Sequence, residues 1–354
     1  MSMGLMDQLP VMPVLLPAAT AVLLLLIGDH GGSEHNLRRQ SLSARLAIGS
    51  ALLGLIISIQ LMLQAADGAL MVYRMGEWPA PFGIVLVVDR LSAMMLLLTS
   101  LIALPVLLYA SGGWAGHGRY FYALFQFQLM GLNGAFVTGD LFNLFVFFEV
   151  LLIASYVLML HGLGRERLRV GVHYVVLNLS ASALFLIGLA LLYALTGTLN
   201  MADLALRVPL VTGPDAIVLQ VAALLLLVVF GFKAALAPLS VWLPATYAAA
   251  SAPVAALFAI MTKVGVYAIW RVHGVIFGAD AGASALLVQP LLLPLAVLTS
   301  AIGVLGVLAA QTLPRLVAWL TVASVGTILM AIGLFGAQAW SEARHYMAHS
   351  TLTV

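Results

Sequence analysis

Long apolar runs make up most of this chain, and little connects them. Stretches that could cross a roughly 30 Å hydrocarbon layer as helix fall at 10–28, 43–64, 84–110, 119–138, 141–160, 171–195, 216–236, 254–273, 288–310 and 314–336. Ten spans are therefore expected, and the fold class is an all-α, polytopic membrane protein. A large soluble helical core would need polar faces on its outer helices, and most of these runs have none. Hydrophobic residues make up 63% of the sequence and charged ones 8%, too few charges to clothe a soluble surface.

The first run reads as a retained helix, because MSMGLMDQLP carries an acid and no base and further spans follow at once. The sequence has no cysteine, so disulfides, thiolate metal sites and sulfur-ligated haem or iron–sulfur clusters are not expected. No metal and no cofactor is anticipated. A formal net charge of +2 with basic residues in short flanking clusters gives no nucleic-acid surface. Those flanks set an orientation instead. Arg38, Arg39, Arg45, Arg119, Arg165, Arg167, Arg169 and Arg315 fall on one side, against Arg74, Arg90, Arg207, Arg271 and Arg344 on the other. The positive-inside rule then puts the N-terminus outside.

Only two lysines occur, Lys233 and Lys263, and each stands inside an apolar run. Glu149 does the same within LFNLFVFFEVLLIASYVLML. The turn GAFVTGDLFN joins two spans so tightly that they must be antiparallel, with Asp140 placed to cap the second. Glu149 then sits about two and a half turns into that helix, near mid-depth. Ionisable groups at such depth mark functional sites. Around Lys233, Pro238 and Pro244 interrupt FGFKAALAPLSVWLPATYAAASAP and Pro253 precedes the next span. Each proline removes an amide donor and clashes with the preceding turn, so a discontinuous helix is expected near 216–250, broken at about Ala237–Pro238. Such a break survives in a membrane only when protein or a polar cavity surrounds it. Burial and a nearby carboxylate act on an ammonium in opposite senses, so one acid and two bases at this depth form a tunable proton site. His173 is the best of the remaining polar residues as a relay, since imidazole titrates nearest neutrality. No phosphate-binding loop, metalloprotease helix or ATPase domain is present, which points to a secondary transporter subunit rather than an enzyme.

TGDLFNLFVFFEVLLIASYVL, followed by VVFGFKAALAPLSVWLPATYAAASAPVAALFAIMTKVGVYAI, resembles the large antiporter-like subunits shared by Mrp-type (also Mnh- or Pha-type) monovalent cation/proton antiporters and respiratory complex I. Within that superfamily the wording is similar to the D-type antiporter subunit. The resemblance implies proton transfer by Glu149, Lys233 and Lys263, in inverted five-helix repeats. It divides the chain into N-terminal helices (1–118), a first repeat (119–273) and a partial second repeat (274–354). RHYMAHSTLTV matches the start of that family's eleventh span, so a C-terminally shortened chain without the second broken helix is expected. His349 matches a histidine near the family's central hydrophilic axis. The implied function is proton translocation in a multi-subunit Na+ or K+/H+ antiporter of a bacterial inner membrane, with other Mrp-type subunits, the large A-type one included, as partners. The alternatives are a proton-pumping subunit of complex I or a membrane-bound hydrogenase, and a scaffold whose charges only lock helices together.

Overall fold

A computed structural model of the chain describes residues 8–28 and 34–353. The N-terminus, and the side chains of Arg38 and Arg39 that enter the charge asymmetry, lie outside the described residues. The helices are α1 (Met12–Ile27), α2 (Glu34–Ala66), α3 (Arg90–Ser111), α4 (Phe121–Val137), α5 (Leu141–Leu160), α6 (Arg165–Thr196), α7 (Met201–Arg207), α8 (Pro214–Ala234), α9 (Trp242–Ala249), α10 (Ala252–Arg271), α11 (Gln289–Ala309), α12 (Leu313–Gly333) and α13 (Ala337–Thr353). Two strands, β1 (Met71–Arg74) and β2 (Val85–Val88), lie between α2 and α3. Among the described residues, nine helical segments are long and apolar enough to cross a membrane. Exposed apolar side chains such as Leu26, Ile153, Leu186 and Leu308 cover their outer faces, as lipid contact requires. The chain is a multi-pass membrane protein.

The remaining expected span, 119–138, is α4. A left-handed Tyr120 opens it and an extended Thr138 closes it, which leaves 17 residues, about 26 Å of helix, at the lower limit for a crossing. Of those residues 14 are buried, so α4 is an interior helix, packed against α1 and α5. The span expected at 84–110 also begins later than the apolar run. Val85–Val88 is rich in β-branched residues, which favour extended backbone, and it pairs antiparallel with Met71–Arg74. Asp89 then starts α3 with a reciprocal cap: its Oδ1 accepts from the Ser92 amide at 2.9 Å, while Ser92 Oγ accepts from the Asp89 amide at 2.8 Å.

The hairpin is stitched to its neighbours. Leu86 bridges to Thr138 and Asp140 to Asn200. The Gly139 amide donates to the Val85 carbonyl and the Met201 amide to the Gly139 carbonyl, both at 2.8 Å. Arg271, at the end of α10, reaches the same face and donates through both terminal nitrogens to the two Asp89 oxygens, each at 2.6 Å. The connections at 67–89, 138–140 and 197–213 thus share one face with the end of α10, and α8 with α9 counts as a single crossing. Helices α11 and α12 form the other tight unit. A Cβ on Gly303 would lie 2.5 Å from the Ala323 nitrogen, and one on Gly306 would overlap the Trp319 ring, so these two positions admit only glycine at this spacing.

The Asp89–Arg271 pair has a definite pH signature. Burial raises the Asp89 carboxyl, but the hydrogen bonds and charge of Arg271, with the Ser92 bonds, outweigh it and hold the group at about 2, below its ordinary 3.8. A carboxyl lowered on folding stabilises the fold above its unfolded value, and that stability is lost as pH falls through the folded value. Replacing Asp89 with Asn is expected to remove about 2 kcal/mol at pH 7. In thermal unfolding of the detergent-solubilised protein, the gap between variant and parent should narrow as pH is lowered from 4 toward 2; a gap independent of pH would contradict this.

Candidate functional site

The break between α8 and α9 organises the site. Helix α8 ends where Ala235 turns left-handed, at φ 59°, and Pro238 brings no amide to continue the ladder. Freed backbone groups must be satisfied at this depth, and they are. The Leu236 amide donates to the Gly231 carbonyl at 2.7 Å. The Ala237 amide donates to Thr299 Oγ1 on α11 at 2.8 Å. The Phe232 carbonyl accepts from the Trp242 indole at 3.0 Å. Pro244 and Pro253 lie in the first turns of α9 and α10, where a missing amide costs no helical bond.

Lys233 occupies the last turn of α8, at the negative end of that helix's dipole, which favours a cation. Its side chain is 5% exposed, and Nζ makes no hydrogen bond to protein. The ammonium instead lies over the Phe148 ring, 4.9 Å from its centroid, a cation–π contact worth about 2 kcal/mol when desolvated. Glu149, the next residue on α5, is half-buried; its Oε1 accepts from Ser182 Oγ of α6, and its charge acts on Lys233. Acid and base are thus electrostatic partners held apart, one fixed by a serine and the other by an aromatic face.

Lys263 lies at the middle of α10, 1% exposed, with Nζ donating to Ser324 Oγ of α12 at 3.4 Å. Gly265 sets the approach of α10 to α8. A Cβ there would fall 2.5 Å from the Ala234 nitrogen and 2.8 Å from the Lys233 carbonyl carbon, so the helices touch backbone to backbone beside Lys233. Further along the Lys263 face, at the i+4 and i+8 positions, stand Tyr267 and Arg271. The Tyr267 hydroxyl donates to the Phe136 carbonyl at 2.6 Å and accepts from Arg271 Nε at 3.0 Å. Glu149 and Lys233 therefore interact electrostatically across α5 and α8, and Lys263 lies on the helix that packs against the end of α8.

The two histidines lie elsewhere. His173 is on the exposed side of α6, its Nδ1 3.0 Å from the Arg169 carbonyl; its neighbour Tyr174 points inward and bonds Ser155 at 2.8 Å. His349 is exposed on α13. Among the described residues, no cluster of His, Cys, Asp and Glu has the geometry to hold a metal ion. The sequence reading missed Thr299, Ser324 and Phe148. It also missed His273, fully buried in the π turn after α10 with neither ring nitrogen bonded to protein.

Comparison with known proteins gives consistent matches. The family model described as NADH:quinone oxidoreductase/Mrp antiporter, transmembrane, matches residues 138–353. The chain is 47% identical over 354 residues to the D subunit of a probable K(+)/H(+) antiporter of Rhizobium meliloti (strain 1021), covering 99% of this chain and 64% of the relative. It is 41% identical to the D subunit of a Na(+)/H(+) antiporter of Alkalihalophilus pseudofirmus, covering 97% of this chain and 67% of that protein. Among solved structures, the Mrp complex from Dietzia sp. DQ12-45-1b contains a chain that superposes with a TM-score of 0.88 at 30% identity, over 99% of this chain and 63% of that one. The chain spans about two thirds of the length of these relatives.

The close approach at Gly265 is testable. Substituting Ala must push α10 away from the end of α8, an overpacking expected to cost about 1–3 kcal/mol. A thermal melt of the solubilised protein should register that loss; a melt identical to the parent would mean that the backbones do not touch at this point.

Proposed function

Because the chain belongs to the NADH:quinone oxidoreductase/Mrp antiporter family of membrane proteins, we propose that it is the D-type, proton-translocating subunit of a multi-subunit Na+ or K+/H+ antiporter. One observation carries this reading: Lys233 is buried without a hydrogen-bonding partner at the end of a broken helix, with its charge acted on by the Glu149 carboxylate of α5. A purely structural charge would be expected to close into a direct ion pair, since an unpaired buried charge is costly. The protonated amine is supported by the Phe148 face, the helix end and the Glu149 charge. When the proton leaves, Glu149 keeps its serine bond, so neither state collapses the site. The proton then passes to Lys263 on the adjoining helix, whose Ser324 contact leads toward α12. His173 and His349 lie outside this route.

The names of the relatives favour cation/proton antiport over redox-driven pumping. Protons and Na+ or K+ are the transported species, and the partners are the other Mrp-type subunits, the large A-type one among them. The complex sits in a bacterial cytoplasmic membrane, with the N-terminus and the hairpin face outside. In this scheme residues 1–118 are N-terminal helices, 119–273 form the first antiporter-like repeat and 274–354 begin a second.

Lys233→Ala, in the assembled complex, should abolish cation-dependent proton movement in sealed vesicles while the subunits still co-purify. Glu149→Gln, which keeps shape and deletes charge, should lower the rate by about tenfold or more, the equivalent of at least 1.4 kcal/mol. Normal exchange by the Lys233 variant would overturn the proposal, and loss of co-purification with intact exchange in the surviving complex would favour a scaffold.

A further inference from the structure

A cleft of about 320 Å³ lies where α3, α10 and α13 meet the end of α2. It is lined by three arginines, Arg90, Arg271 and Arg344, and by one acid, Asp89. Arg271 and Asp89 neutralise each other through their two short bonds, so that pair adds no net charge. The other two arginines are not balanced. Arg90 spends Nε and one terminal nitrogen on the Ala65 and Ala66 carbonyls, at 3.2 and 2.6 Å. Those acceptors are uncharged; they pin the guanidinium at the cleft wall and leave its other terminal nitrogen unspent. Arg344, about two turns into α13, has no hydrogen-bonding or ion-pair partner among the described residues. Asp67, beside Ala66, and Glu342, two residues before Arg344, do not line the cleft and pair with neither arginine. The cleft therefore carries two uncompensated positive charges, one from α3 and one from α13.

Its depth follows from the helices around it. Helix α3 begins and α10 ends at the cleft, and Trp270 and Trp340 line it with ring centroids 5.9 Å apart. Tryptophan gathers at the boundary between hydrocarbon and water, so the cleft opens at the level of the lipid headgroups. Val275, 47% exposed, adds an apolar surface beside the charges. We propose that this cleft is a binding site for an anionic phospholipid, its phosphate held between Arg90 and Arg344. A guanidinium presents paired N–H donors that match two phosphate oxygens, and basic pockets between membrane helices suit such headgroups. Both Asp89 oxygens are engaged by Arg271, so this acid does not compete with the phosphate for the other two arginines. A zwitterionic lipid brings an ammonium that the same arginines repel, and the site therefore selects for net negative charge. The bound phosphate ties α3 to α13 and so stabilises the packing of the last helix against the first half of the chain.

The test uses the purified chain in a neutral detergent, titrated with phosphatidylglycerol, with phosphatidylcholine or with sodium phosphate. Native mass spectrometry should show phosphatidylglycerol retained in preference to phosphatidylcholine, and the melting temperature should rise with the first lipid and not with the second. Arg90→Gln combined with Arg344→Gln should weaken phosphatidylglycerol binding about tenfold or more and remove the rise. Equal binding of the two lipids by the parent, or undiminished phosphatidylglycerol binding by the double variant, would overturn the proposal. The chain has no cysteine, so Ala69→Cys, at an exposed position lining the cleft, adds a single thiol that does not depend on the arginine variant folding. Phosphatidylglycerol should slow its reaction with a thiol reagent about tenfold or more, and phosphatidylcholine should not. Absence of protection would count against the site even if the double variant failed to fold. Equal protection by sodium phosphate alone would make the ligand free phosphate and overturn the lipid assignment. None of these readouts involves proton movement, so their outcome is independent of the transport reading.

Discussion

Everything at the centre of this protein depends on one interruption of a helix at membrane depth. Unwinding the chain between Ala234 and Trp242 frees backbone groups in a region where water cannot take them, and the structure answers with specific partners: Thr299 for the Ala237 amide and the Trp242 indole for the Phe232 carbonyl. Those partners explain why the break is stable, and the break explains the placement of Lys233. An amine in the middle of a continuous apolar helix would have no helix end beside it, whereas here the last turn of α8 presents its carbonyl end to the charge. Backbone repair and the electrostatics of the site are therefore a single arrangement.

The arrangement also needs helices that approach closely enough to exclude lipid. Gly265 brings α10 against Ala234, and the glycines of α11 bring α12 against it. At the hairpin face the same task falls to extended backbone. The α4–α5 turn is held between β2 and the segment before α7 by main-chain bonds, so the entrances of several helices are fixed without a large loop domain. Asp89 joins these parts, capping α3 while its two oxygens hold Arg271.

Much of this was legible in the sequence, for physical reasons that can be named. Apolar runs announce spans because lipid demands them, and lysines in such runs stand out because desolvation makes them rare. Prolines marked the break, although only Pro238 lies at it; Pro244 and Pro253 are first-turn residues, and a proline in a first turn reads in sequence like a proline that breaks. The late start of α3 was hidden because the valines of β2 are as apolar as a span. His173 illustrates the opposite difficulty. Helix α6 is apolar on nearly every side, so its sequence does not say which face is inward, and the buried aromatic proved to be the neighbouring Tyr174. Contacts such as Ala237 with Thr299, or Asp89 with Arg271 across 182 positions, leave no local trace, since serines and threonines are common in spans and any acid before a helix already suffices as a cap.

The tight pairing of α11 and α12 has a mechanical meaning. Thr299, on the first of these helices, holds the loop that ends the Lys233 helix, and Ser324, on the second, holds the Lys263 amine. Glycine contacts make the two helices a single strut. Tilting or sliding that strut must shift both lysines in concert, as two pins fixed to one lever, and neither can be displaced by it alone.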